Sequence, residues 1–164
     1  MFYVCRIIVA KTIIDILVSK QLLSLEEGTT VRKEAKAKGT ALDDGLYARG
    51  IKEQDVAEAK SVLTGYQAKY LRGVAVSFDV LRDIPEESAK HYNVIPLGRH
   101  EGFLDIGMLY PEDAASHEAL KFIAGRAGLP LRIFIITPTD FQSVLQEYRS
   151  LSGEVTKALG EFEK

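Results

Sequence analysis

Asn93 to Asp113 reads NVIPLGRHEGFLDIGMLYPED, and the reading of the whole chain turns on it. Leu104, Ile106, Met108 and Tyr110 recur at every second residue, the period of a strand with one face in a core. Val94, Ile95 and Leu97 form an apolar run before it. His100, Glu101 and Gly102 lie between the runs, and Gly102 tolerates the positive φ that a tight reversal needs. These residues predict a β-hairpin that closes at Pro111.

Beyond the hairpin, Glu112 and Asp113 open a helix through Ala127, with Ala115, Ala119, Leu120, Ile123 and Ala127 on its buried side and Gly128 past its end. Leu131 to Ile136 is apolar apart from Arg132, as in a central strand covered on both faces. Thr137-Pro-Thr-Asp signals a helix start: a threonine cap, proline at the first position, an acid three after the cap. Phe141, Val144, Leu145 and Tyr148 then follow helical spacing. Leu151, Val155, Ala158 and Phe162 extend the stripe into an amphipathic tail with no partner in the chain.

Ahead of the hairpin, Asp83-Ile-Pro-Glu-Glu opens a short helix ending near Tyr92, with Glu86 and Glu87 at the positive end of its dipole. Val74, Val76 and Phe78 alternate as an edge strand, and Gly65 to Gly73 is a connector. Everything before Gly65 reads as helix. Thr12 to Leu25 carries Ile13, Ile14, Leu17, Val18, Leu22 and Leu25 on one face. Leu25 to Gly28 reads as a break, with Thr29 or Thr30 capping a charged helix that Gly39 ends. Ala41 to Arg49 stops at Gly50, and Glu53 to Val62 follows with Val56, Ala59 and Val62 or Leu63 inward. Ile16 to Leu23 and Gly45 to Ile51 look alike, each a helix that turns tightly into another, which suggests a short duplication.

The expected fold is therefore α+β. A helical lead (1–65) precedes a small β-β-α-β-α domain (66–150) with a three- to four-stranded mixed sheet, and 151–164 starts an amphipathic linker helix. The crossover into Leu131 should be parallel and right-handed.

Composition removes several function classes. A net charge of −2 provides no broad basic field for nucleic acid. One cysteine, Cys5, cannot form an internal disulfide. Phe2 to Val18 is apolar but interrupted by Arg6, Lys11 and Asp15, against both a membrane span and a secretory signal, and reads as a buried helix or strand.

The chemistry-bearing patterns fail on inspection. Gly102 to Leu109 has the glycine spacing of a phosphate loop, but Met108 and Leu109 stand where Lys and Ser/Thr are needed. Gly45 and Gly50 repeat the spacing, and Ile51 follows. His91, His100 and His117 lack ligand spacing and read as exposed structural residues, His100 in the hairpin loop. No serine lies in a nucleophile elbow. The adjacent acids Asp43–Asp44 and Glu86–Glu87 point to different helix faces and read as solvated surface. We expect no catalytic, cofactor-binding or metal-binding residues and no cofactor.

The run from Pro85 and Glu86 through Tyr92, Val94, Ile95, Pro96 and Gly98 resembles a known family. So do Leu104, Met108, Pro111, Ala119, Leu120, Phe122, Thr139, Asp140 and Tyr148. Together they resemble the N-terminal, MshEN-like domain of type II secretion and type IV pilus assembly ATPases of the GspE/PilB type. The resemblance covers about Asp79 to Glu154, with Gly107 where alanine is usual, and extends more weakly over Ile13 to Ser61. It implies a domain without chemistry of its own that docks a cytosolic hexameric motor on inner-membrane platform proteins and relays regulation. The motor domain would lie in cis beyond the linker, or in trans beside a freestanding adaptor. The implied place is cytoplasmic, peripheral to the inner membrane.

Some members of that family bind cyclic di-GMP through tandem R-L-G-x-x-L-V-x-x-G motifs. Aligned on Gly50, Ala41, Leu42 and Asp43 stand under R-L-G; in the earlier copy Thr12, Ile13 and Ile14 do, with Gln21 for the last glycine. Both arginines are missing, and Asp43 and Asp44 would repel phosphates. Cyclic di-GMP sensing is therefore the disfavoured alternative.

Overall fold

The first helix is short because its end is specified locally. In the computed structural model, which describes residues 12–162 apart from the side chains of Thr156 and Phe162, α1 spans Ile13–Ser19 and is capped by Thr12. Gln21 turns left-handed (φ 60°), and the amides of Gln21 and Leu22 donate back to the carbonyls of Val18 and Leu17. This is a Schellman ending, and it overturns the expected helix to Leu25. The chain divides into two compact units, Met1–Gly65 and Tyr66–Lys164. Cys5 and the first part of the Phe2 to Val18 run lie outside the described residues.

In the first unit, α2 (Leu25–Lys38), α3 (Leu42–Ala48) and α4 (Glu53–Thr64) follow α1. The expected break at Leu25 to Gly28 is instead the first turn of α2. Ser24 and Glu27 form a capping box, with the Glu27 amide 3.1 Å from Ser24 Oγ and the Ser24 amide 2.9 Å from Glu27 Oε2. Gly28 is there for proximity, since a Cβ would run into Ile14. The second turn repeats the first. Gly50 takes the place of Gln21, and the Gly50 and Ile51 amides return to Tyr47 and Leu46. Leu46 follows Leu17, Gly50 follows Gln21 and α3 follows α1 at one constant spacing. Leu17, Val31, Leu46, Val56 and Ala59 fill the core. Leu22, Leu25, Val62 and Leu63 face outward, contrary to the sequence reading, because α1 stops early and α4 buries Ala57 and Lys60 instead.

In the second unit, the strand order is β1-β4-β3-β2: β1 (Gln67–Ala68), β2 (Val94–His100), β3 (Phe103–Met108) and β4 (Leu131–Ile135). The hairpin β2–β3 is antiparallel and turns on Glu101 and Gly102, both at positive φ (53° and 80°), the geometry of a two-residue type I′ turn. Pro96 sits on edge strand β2 beside a bulge, where its missing amide is tolerated. α7 (Ala114–Ala127), capped by Asp113 and ended by left-handed Gly128, returns the chain to β4, which pairs parallel to β3. Ala115 is exposed, and Ser116 takes an inward position. Residues Leu131 to Phe134 are only half-buried, so β4 is central in order but not covered on both faces.

The edge strand expected at Val74 to Phe78 does not form. Gln67 and Ala68 supply the edge, and Phe78–Leu81 begins the short helix α5. The reason lies in α8 (Pro138–Phe162). Glu147 accepts the Val76 amide at 2.9 Å, and Asp140 accepts the Leu71 amide at 3.0 Å. With those donors satisfied, the connector needs no strand partner. Tyr148 faces the carbonyls of Leu81 and Ile84 at 3.1 and 2.6 Å. Burial first, and then the carboxylates of Glu86 and Asp83, pushes the Tyr148 hydroxyl up, so it stays protonated and donates there. α6 (Glu86–Tyr92) ends on left-handed Asn93 and leads into β2.

Candidate functional site

Asp105 belongs to no motif in the sequence and is fully buried in the structure. It lies on β3 between Leu104 and Ile106, so its side chain takes the opposite face from theirs. Arg132, its register partner on β4, holds it through Nε at 2.8 Å and Nη2 at 3.1 Å. His100 Nδ1 lies 2.9 Å away, and Lys69 Nζ 3.5 Å. Against a carboxylate, Nδ1 is the donor. Burial pushes the Asp105 carboxyl up, but hydrogen bonds from Arg132 and His100 and the charges of Arg132 and Lys69 outweigh it and hold it below the ordinary range. Gly98 permits the arrangement, because a Cβ there would meet the His100 ring at 2.5 Å. His100 is thus the paired end of β2, not a free loop residue. The sequence signal existed: Asp105 and Arg132 are lone opposite charges in two apolar strands.

The other histidines are also structural. His91 ends α6 and stands edge-on to Tyr92. His117 is half-buried, with Nε2 2.7 Å from the Pro111 carbonyl and its ring against Tyr66, which corrects the exposed reading. Among the described residues, no group of three His, Cys, Asp or Glu could hold a metal. Gly102 is in the hairpin turn and Gly107 within β3, so that glycine pair is not a phosphate loop.

In the first unit Asp43 contradicts the expectation of solvated acid. It is 5% exposed and pairs with Lys60, itself 3% exposed, at 2.5 Å. Asp44 remains exposed. The corresponding pair one repeat earlier is Ile14 and Val31, both buried and apolar.

The surface hollows of the second unit carry little chemistry. One of about 530 Å³ is walled by Leu71, Val76, Leu97 and His100, and its Lys69, Arg99 and His100 are engaged by Asp105 or Asp83. Another of about 440 Å³ runs between Phe78, Leu81, Tyr148, Leu151 and Val155. Among the described residues the most exposed large apolar side chain is Phe122, on the outer face of α7 at 80%. Beside it a hollow of about 270 Å³ is lined by Pro85, Tyr92, Ala119, Phe122 and Ile123, and meets Asp83 and Arg126.

Residues 66–155, more than half of the chain, match the model of the MshEN domain. The chain belongs to the MshEN domain family. The type IV pilus assembly ATPase PilB of Myxococcus xanthus (strain DK1622) is 27% identical over 112 residues, which are 68% of this chain and 20% of that protein. The chain thus spans about a fifth of that curated relative. Among solved structures, "MshE with cdg" superposes with a TM-score of 0.68 at 21% identity, covering 84% of this chain and 99% of that one. The N-terminal domain of XpsE gives 0.63 at 21% identity, covering 83% and 92%. This MshEN domain is an N-terminal domain of the secretion and pilus assembly ATPase kind, with the α+β fold of its relatives. Most residues that carried the resemblance build the fold: Leu104 and Met108 are in the core, Gly98 admits His100, and Tyr148 ties down the connector. Phe122, by contrast, is exposed on the outer face of α7. Among the described residues, no helix of this MshEN domain is long and apolar enough to cross a membrane.

Proposed function

We propose that this chain is the non-catalytic docking and regulatory domain of a type IV pilus or type II secretion assembly ATPase. It couples the motor, from the cytoplasmic side, to inner-membrane platform proteins. The observation that carries this is Phe122, an aromatic side chain 80% exposed on a helix that Leu120 and Ile123 fasten into the core. Exposed aromatics beside a hollow are what protein interfaces use as anchors. The test is calorimetric titration of the whole chain with the cytoplasmic segments of inner-membrane proteins encoded near its gene. Saturable binding to one of them is expected, weakened by Phe122→Ser with no change in unfolding temperature. No binding to any of them sinks the proposal.

The second reading is cyclic di-GMP sensing. It is favoured by the two equivalent turns at Gln21 and Gly50 and by the similarity to MshE, solved with cdg. Against it stand Thr12 and Ala41 in place of the motif arginines, and exposed Asp44. Asp43 does not add repulsion, because Lys60 neutralises it. We expect no saturable binding of micromolar cyclic di-GMP in the same calorimeter, and a saturable isotherm would reverse that expectation.

A further inference from the structure

The hollow beside Phe122 continues into a second one, and the two differ in character. The first is walled by Pro85, Tyr92, Ala119, Phe122 and Ile123. The second, of about 400 Å³, is lined by Asp79, Arg82, Asp83, Arg99 and Arg126. Asp83 and Arg126 belong to both, so an apolar groove runs without a break into a strip of arginines.

The charges in that strip are unequally engaged. Arg99 is fully committed, with Nη2 2.6 Å and Nε 2.9 Å from the Asp83 carboxylate and Nη2 3.3 Å from the Asp79 carbonyl. Arg82 lies over the Phe78 ring at 5.8 Å and makes no ion pair among the described residues. Arg126 has neither a hydrogen bond nor an ion pair among the described residues. Its place in the last turn of α7 suits the helix dipole, yet leaves all its donors for a ligand. Three arginines against two aspartates make this strip cationic on a chain whose net charge is −2.

We infer that this continuous groove binds an acidic amphipathic segment of a partner protein, seating an apolar side chain against Phe122 and Ile123 and a carboxylate on Arg126. This deepens the docking reading and rests on it. Charge complementarity selects the occupant. A guanidinium fork is suited to bidentate carboxylate recognition, and the adjoining groove needs a large apolar group that a phosphate polymer lacks. The chain's overall negative charge also works against a polyanion.

The test is fluorescence anisotropy of the whole chain with two labelled amphipathic peptides. Both carry Phe and Leu along one face; the other face is Glu in one and Lys in the other. A short DNA duplex serves as the polyanion control. The acidic peptide is expected to bind saturably and the basic one not. Phe122→Ser and Arg126→Glu should each weaken binding about tenfold or more with unchanged unfolding temperature, and Arg126→Glu should gain the basic peptide. Equal binding of both peptides, binding that neither variant alters, or DNA binding as tight as the peptide would overturn the inference. The same variants titrated with the platform segments separate the two ideas. Undiminished platform binding leaves docking standing and removes this groove as its site, whereas a platform segment that never binds the unaltered chain removes docking itself.

Discussion

Two buried aspartates solve the same electrostatic problem in opposite ways. Asp43, in the first turn of α3, has one counter-ion among the described residues, Lys60 of α4, and both are sealed: the side chains of Lys60 and Asp43 are 3% and 6% exposed. Asp105 is more deeply buried, yet its partners sit at the sheet surface, with Lys69 35%, Arg132 37% and His100 56% exposed. In the first case both charges lost their water. In the second only the acid did, and its partners share its charge while remaining hydrated. The earlier repeat shows that the sealed pair is not demanded by the backbone, because Ile14 and Val31 fill the same places with methyl groups. A sealed pair is costly to break and cheap to replace, whereas a rim-held acid is costly to replace and tolerant of losing one partner.

The largest expected effect breaks the sealed pair. Lys60→Ala should lower stability by about 3–5 kcal/mol, because Asp43 is left charged and dry. Asp43→Ile with Lys60→Val, which copies the earlier repeat, should return to within about 1 kcal/mol of the original or exceed it. Urea unfolding of the three proteins decides this, and a double variant as weak as Lys60→Ala would defeat the comparison.

Next is Asp105→Asn, expected to cost about 1–3 kcal/mol at neutral pH, since Arg132 and Lys69 then face a neutral group. The pH dependence has a definite sign. Asp105 is held below the ordinary carboxylate value, so its stabilisation is present above that value and is lost as pH falls through the lower, folded one. The loss falls below about pH 4. Thermal unfolding across that range should be less acid-sensitive in the Asn variant.

A smaller effect is predicted for one rim partner. Gly98→Ala should swing the exposed His100 ring off Asp105 and cost about 1 kcal/mol. Combining it with His100→Ala should add little, because both changes remove one contact. The smallest effect compares the two turns. Gln21→Gly relieves a left-handed non-glycine residue and should stabilise by about 0.5–1 kcal/mol, and Gly50→Gln should do the reverse.

Much of the fold was legible because its signals are local. The hairpin followed from period-two alternation and Gly102, and α8 from Thr137-Pro-Thr-Asp, whose threonine does cap the Asp140 amide at 3.2 Å. The capping box of α2 was equally local, but Gly28 was taken as a breaker when it is a contact glycine. The strand expected at Val74 to Phe78 was misread for a tertiary reason. The segment alternates like a strand, but the Val76 amide is answered by Glu147, 71 residues later. The candidate docking groove was illegible for the same reason: Phe122 falls in a helical pattern, and nothing local says that no other element covers it.

The sequence by itself determined the hairpin, the starts of α7 and α8 and the glycine end of α7, because these caps, that left-handed end and the alternation are decided within a few residues. It also places Met108 and Leu109 where the glycine spacing of Gly102 and Gly107 would need Lys and Ser/Thr. Tertiary structure alone decided which charges are buried and with whom. Asp43 meets Lys60, Asp105 meets Arg132 and His100, and Arg126 meets no one among the described residues. Burial and pairing depend on elements distant in the chain, and the free energy of a charge depends on that surrounding rather than on its neighbours in sequence.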